Sequence, residues 1–204
     1  MTGLDTVIFD IGGVLTDFPR QTFFMRKGYD AETAARLLRA TMESSAWEEY
    51  DRGVLSEEEV REFFKKNAPE LAAEIDASLT DMTGIVTERD TAIPWVQSVK
   101  DRGCRALVLS NFSYPALRGC RESALGFLDR VDGGILSCYE HVIKPDPLIY
   151  ALLIRRYSIE PSRAVFIDDT PRNLTAAARF GLRTILYRTQ EQAEKELDAM
   201  LIEK

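Results

Sequence analysis

Polar residues close several apolar runs of this sequence, and their types suit the joint handling of an anion and a cation. Asp10 ends the run Thr6-Val-Ile-Phe. Ser110 and Asn111 follow residues 105–109, and Asp168 with Asp169 follows residues 164–167. Lys144 stands before Pro145. Adjacent carboxylates at one strand end repel each other, and a bound cation relieves that repulsion. An ammonium group and a hydroxyl can hold an anion. Taken singly, each residue has a plainer use: aspartate and serine cap turns and helices, and a surface lysine is merely solvated. The shared position of Asp10, Ser110 and the Asp168–Asp169 pair at run ends is the functional clue.

The runs themselves predict the scaffold. Residues 6–10, 105–109, 164–167 and 183–187 read as buried strands, with 134–137 a weaker candidate. Helical patterns separate them. Pro94 opens one, with Trp95, Val96 and Val99 on one face; Leu117, Ala124, Leu125 and Leu128 mark another. Asp146-Pro147 pairs an N-cap with proline at the first helical position. The stretch 173–180 ends at Gly181, and Thr189 with Gln192 forms a capping box. Strands alternating with helices predict a parallel α/β sheet with right-handed crossovers. Ligands of such sheets bind beyond the carboxyl ends of the strands, where Asp10, Ser110 and the Asp168–Asp169 pair would lie. Residues 17–85 break the alternation and read as helices over 31–44, 56–66 and 69–82, with Ser56 and Glu59 as a capping box. They predict a helical domain, 17–85, inserted into a core formed by 1–16 and 86–204.

Bulk properties narrow the function classes. The 204 residues suffice for one sizeable core and a small insert. Lys and Arg number 26 against 33 Asp and Glu, a net charge of −7, so neither nucleic acid nor an anionic membrane is an expected partner. The sequence carries no bilayer-length apolar run and no secretory pattern. Its three cysteines are widely spaced, which suits reduced thiols in a cytoplasmic protein. With a single histidine, His141, and no close ligand pair, zinc is not expected. The pattern fixes no oligomeric state.

Four segments occur in order: Phe9-Asp10-Ile11-Gly12-Gly13-Val14-Leu15, Leu109-Ser110-Asn111, Lys144-Pro145-Asp146-Pro147, and Phe166-Ile167-Asp168-Asp169 with Asn173 beyond. Together they resemble the four-motif signature of the haloacid dehalogenase superfamily, over nearly the whole chain. The insert resembles the α-helical cap of many members. Its segment Trp47-Glu-Glu-Tyr-Asp-Arg-Gly53 is similar to the subgroup holding sugar-1-phosphate phosphatases and the phosphatase domain of soluble epoxide hydrolase. The resemblance implies a Rossmann-like core and a Mg²⁺-dependent phosphatase acting on a small phosphorylated metabolite, such as a sugar phosphate. Asp10 would be the nucleophile that forms an aspartyl-phosphate. Asp10, Asp169 and the Gly12 carbonyl would bind Mg²⁺, with Asp168 behind them or acting through water. Ser110 and Asn111 would meet the phosphoryl oxygens and Lys144 would supply fixed positive charge. Trp47 and Tyr50 would line the cap side of the pocket. Asn173 would brace the loop, and Arg172 would be a solvated helix-start residue. Electrostatics agree with this scheme, because a carboxylate attacking a dianionic ester needs a cation and an ammonium group to offset the repulsion.

The sequence departs from the family at Gly12. Most phosphatases of the superfamily carry a second aspartate there, which protonates the leaving group. Asp17 is a possible substitute, although its place near the cap hinge suits a structural role. Two other activities share the motifs. A 2-haloacid dehalogenase uses the same aspartate nucleophile but needs no metal and usually lacks the paired acids that Asp168 and Asp169 form. A binding protein that kept the fold would explain Gly12.

Overall fold

The computed structural model describes residues 3–202. The expected core termini, 1–2 and 203–204, lie outside that range. In chain order the elements are β1 Thr6–Phe9, β2 Thr16–Asp17, α1 Arg20–Arg26, α2 Ala31–Ala40, α3 Trp47–Arg52, α4 Glu57–Asn67 and α5 Ala72–Leu79. Then come β3 Thr87–Glu88, α6 Ala92–Asp101, β4 Arg105–Ser110, α7 Tyr114–Ala124, β5 Gly133–Leu136 and α8 Ser137–Glu140. The chain finishes with α9 Pro147–Arg156, β6 Ala164–Asp168, α10 Pro171–Ala178, β7 Arg183–Leu186 and α11 Gln190–Ile202.

Five strands make one parallel sheet in the order β5-β4-β1-β6-β7. Helices cover both faces, so the central strands are apolar at nearly every position. The two-residue side-chain period then divides one strand between two cores. Val7 and Phe9 enter the cluster that holds Trp95, Val96 and Val99, and the Phe9 and Trp95 rings meet edge to face at 4.9 Å. Ile8 points the other way, toward Tyr150, Leu153 and Phe166. β1 is central, flanked by β4 and β6, with Phe9 opposite both Val108 and Ile167. This order brings the polar ends of β1, β4 and β6 to adjacent places at one sheet edge.

Helices α1 to α5 lie between β2 and β3, which pair antiparallel through Thr16–Glu88 and Asp17–Thr87. The insert thus leaves and returns along a two-stranded ribbon. Arg89 fastens that ribbon: it donates to Asp17 Oδ1 at 2.8 and 2.6 Å and to the Val14 carbonyl at 3.0 Å, and it also reaches the Tyr187 hydroxyl. The capping box of Ser56 and Glu59 is present at the start of α4.

Several boundaries differ from the sequence expectation. The helix expected over 31–44 stops at Ala40, because Thr41 leaves helical geometry (φ −117°, ψ −85°) and its hydroxyl takes the Leu37 carbonyl at 2.7 Å. The stretch 69–82 divides into a 3₁₀ turn, Pro69–Leu71, followed by α5. Helices α1 and α3 were not expected. They have 7 and 6 residues and no side-chain N-cap, so neither carries the start signal that marks longer helices. Among the described residues no helix is long and apolar enough to cross a membrane.

Candidate functional site

At the sheet edge the chain ends of β1, β4 and β6 converge on one ammonium group. Lys144 is 1% exposed; its Nζ lies 2.8 Å from Asp10 Oδ1, 2.8 Å from Asp168 Oδ2 and 3.0 Å from the Leu109 carbonyl. Asp10 follows β1; its N–H donates to the Ile167 carbonyl at 2.9 Å, and its Oδ1 accepts from the Ile11 N–H at 2.7 Å. Asp168 is fully buried and also accepts from the Thr170 N–H at 2.7 Å and from Asn173 Nδ2 at 3.1 Å. Such density of donors is what a buried carboxylate requires, since an unpaired one is strongly disfavoured.

Lys144 is held at both ends. Asn111 Nδ2 donates to the Lys144 carbonyl at 3.0 Å, and Asn111 Oδ1 accepts from the Lys144 N–H at 2.7 Å. The Lys144–Pro145 peptide bond is cis. Asn111, expected on the substrate side, lines the cavity with Asp10 and Ser110 and also makes this backbone clamp. Asn173 braces Asp168, while its own buried Oδ1 has no hydrogen-bond partner among the described residues.

Asp169 sits beside the turn after β1. Gly13 has φ +78°, and a Cβ there would run into Asp169 Oδ2, so only glycine lets the carboxylate approach so closely. Oxygens of Asp10, Asp168 and Asp169 lie within 4.8 Å of one another. Asp168 is already saturated by Lys144, Thr170 and Asn173, which fits a place behind the other two rather than direct ligation. The open donors are those of Asp10 and Asp169, with the adjacent Gly12 carbonyl. An all-oxygen set of this kind fits a hard divalent cation.

Burial is the largest influence on Asp10 and raises its carboxyl to about 7; Lys144 pulls against that rise and Asp168 adds to it. Burial alone would lower Lys144, but the Asp10 and Asp168 carboxylates overcome it and hold the ammonium above its ordinary range. Lys144 therefore stays charged.

These groups face a cavity of about 340 Å³ that Ser110, Asp169 and Trp47 also line. Tyr50 does not line it. Instead it is buried inside the cap, its ring 5.5 Å from those of Trp47 and Phe64. The expectation for Tyr50 is thus corrected by packing: its ring is taken up between Trp47 and Phe64 inside the cap and does not reach the cavity wall. The side chain that shares Trp47's aim is Asp51, four residues on, and it does line the cavity. Sequence reading passed over Asp51, although the i, i+4 spacing from Trp47 was the available signal. Asp17 faces the cavity but is paired with Arg89. Arg172 is exposed and lies 3.5 Å from Glu48 of the cap. His141 meets the Arg52 carbonyl at 3.2 Å, away from the cavity.

Comparison with known proteins bears on the family and the fold. Mouse acyl-CoA dehydrogenase family member 10 is 30% identical over 96% of this chain, which spans only about a fifth (19%) of that protein. The sesquiterpene phosphatase astK of Aspergillus oryzae is 24% identical, covering 89% of this chain and 88% of its own length. The structure of the HAD family enzyme BT-2542 from Bacteroides thetaiotaomicron, complexed with magnesium and inorganic phosphate, superposes with a TM-score of 0.70. It is 19% identical, over 92% of this chain and 96% of that one, and so it establishes the fold alone. The family model for haloacid dehalogenase-like hydrolases matches residues 4–181, taking in all three converging strand ends, the lysine and the inserted helices. On that match the chain belongs to the haloacid dehalogenase-like hydrolases and is a hydrolase.

Proposed function

We propose that the chain is a Mg²⁺-dependent phosphatase of a small phosphorylated metabolite, with a sugar phosphate as one candidate. The observation that carries this reading is the Lys144 ammonium, 2.8 Å from both Asp10 and Asp168, with Asp169 completing the acidic cluster. A haloacid has a single negative charge and a neutral reacting carbon. It needs no second acid to hold a cation, so the Asp169 carboxylate favours phosphoryl chemistry over dehalogenation.

Asp10 attacks phosphorus and forms an aspartyl-phosphate, which water hydrolyses. Lys144 stays charged and offsets the repulsion between that carboxylate and the incoming dianion. Ser110, buried beside Asp10, donates its hydroxyl proton to a phosphoryl oxygen. Asn111 keeps Lys144 in place through its backbone. Asp10, Asp169 and the Gly12 carbonyl would hold Mg²⁺, with Asp168 behind them, and the ion would supply positive charge for the phosphoryl oxygens. Trp47 closes the cavity from the cap side.

The test is phosphate release from a panel of sugar, nucleotide, prenyl and small-acid phosphates, with and without Mg²⁺. Release is expected only with Mg²⁺, and Asp10→Asn is expected to abolish it. EDTA-insensitive chloride release from 2-chloropropionate, without phosphate release from any ester, would replace this reading with dehalogenation.

A further inference from the structure

An alkyl phosphate expels its alcohol slowly unless a proton reaches the departing oxygen. The groups assigned so far have none to spare. Lys144 is locked between two carboxylates, Asp168 is saturated, and Asp17 is ion-paired to Arg89. Gly12 has no side chain, and no atom lies within 4 Å of where its Cβ would stand. Gly12 lines a recess of about 70 Å³ together with Phe18, Trp47 and Asp51. Gly12, Trp47 and Asp51 also face the larger cavity with Asp10 and Lys144. Asp51 therefore borders both the reacting groups and the room above Gly12. It is half-buried, and no described donor bonds to its carboxylate.

The backbone of Asp51 is pinned to the core. The Ser137 hydroxyl donates to the Asp51 carbonyl at 2.6 Å and accepts from the Phe112 N–H at 2.9 Å, two residues past Ser110. Gly53, at φ +67°, lets the end of α3 lie against Cys138, where a Cβ would meet a backbone oxygen at 2.8 Å. One cap carboxylate is thus held at a defined place over a core site.

We propose that Asp51 is the general acid and base of the reaction, delivered by the cap into the space that Gly12 leaves. The inference rests on the phosphatase reading above. As the bond from Asp10 oxygen to phosphorus forms and the ester P–O bond breaks, the Asp51 proton moves to the leaving oxygen and gives the alcohol. The resulting Asp51 carboxylate then takes a proton from the water that attacks the aspartyl-phosphate. Inorganic phosphate leaves, and both carboxyl groups return to their starting states. Burial, the largest influence, raises Asp51 to about 7; Lys144 opposes the rise, while Asp10 and Glu48 add to it. A carboxyl in that range can both give and take a proton near neutral pH.

The experiment compares wild type, Asp51→Asn and the double variant Gly12→Asp/Asp51→Asn on phenyl phosphate and 2,4-dinitrophenyl phosphate with Mg²⁺. Circular dichroism checks that each protein is folded. For Asp51→Asn, aspartyl-phosphate formation from phenyl phosphate should fall by about 10²–10⁴-fold, the usual worth of a general acid. Formation from the dinitrophenyl ester, whose leaving group needs no proton, should be nearly unchanged. With the base also gone, that ester should give a stoichiometric burst of dinitrophenolate and phosphorylated Asp10, seen by intact mass. The double variant should recover phenyl phosphate hydrolysis and lose the burst. Equal loss on both esters, or no loss on either, in a protein whose wild type is active would overturn the role of Asp51 alone. A wild type that hydrolyses neither ester would overturn the phosphatase reading and this inference with it.

Discussion

Lys144, buried, and Asp51, half-buried, are two answers to the same problem, charge in a place with little water. Removing Lys144 leaves Asp10 and Asp168 facing each other uncompensated, and breaking a buried ion pair typically costs about 3–5 kcal/mol. Lys144→Ala should lose that much in urea denaturation at pH 8 in EDTA. The loss should shrink toward pH 5, as the Asp10 carboxyl, pushed up to about 7 by burial, takes up a proton. Asp51 runs the other way. Its folded-state carboxyl lies near 7 against an ordinary 3.8. The native state thus binds its proton more tightly than the unfolded chain, a contribution that is full below pH 4 and lost as pH rises through 7. Asparagine does not titrate. Asp51→Asn should therefore match wild type at pH 4 and melt higher at pH 8, each kcal/mol gained raising Tm by about 2–4 °C. Differential scanning calorimetry across that pH range checks the sign, and equal Tm values at pH 8 would refute it.

At the scale of elements, the strands were readable because parallel sheets demand unbroken apolar runs, and each run ended in its polar residue. Asp10, Ser110, Asp168 and Asp169 could be chosen from that pattern and Lys144 from the motif resemblance, and the structure brings them to one edge. The cap was less readable. Helix α3 has 6 residues and no side-chain cap, so its orientation was hidden, and with it the difference between Tyr50 and Asp51. The clamp made by Asn111 was hidden for another reason: its partner, the Lys144 backbone, lies 33 residues away and no local pattern marks the pairing. The end of α3 also offers a test of element geometry. Gly53 adopts a left-handed conformation that costs other residues about 1–2 kcal/mol, before any clash with Cys138. Gly53→Ala should destabilise by at least that amount in urea. It should also weaken turnover, because it moves the segment that carries Trp47 and Asp51.

Over the whole molecule, core and cap meet through few polar ties. Arg89 secures the ribbon, Arg118 pairs with Glu57 at 3.0 Å, and Ser137 joins α3 to the loop after β4. Ser137→Ala deletes two bonds at once and strands the buried Phe112 N–H, a loss worth about 1–3 kcal/mol. Limited proteolysis should then cut the 20–79 segment faster, while the five-stranded core stays intact. The Ser137 tie has a further consequence. On the proposed role of Asp51, the cap segment and the proton donor are one piece, so a variant that loosens the cap should hold a guest next to Asp10 yet leave it unprocessed.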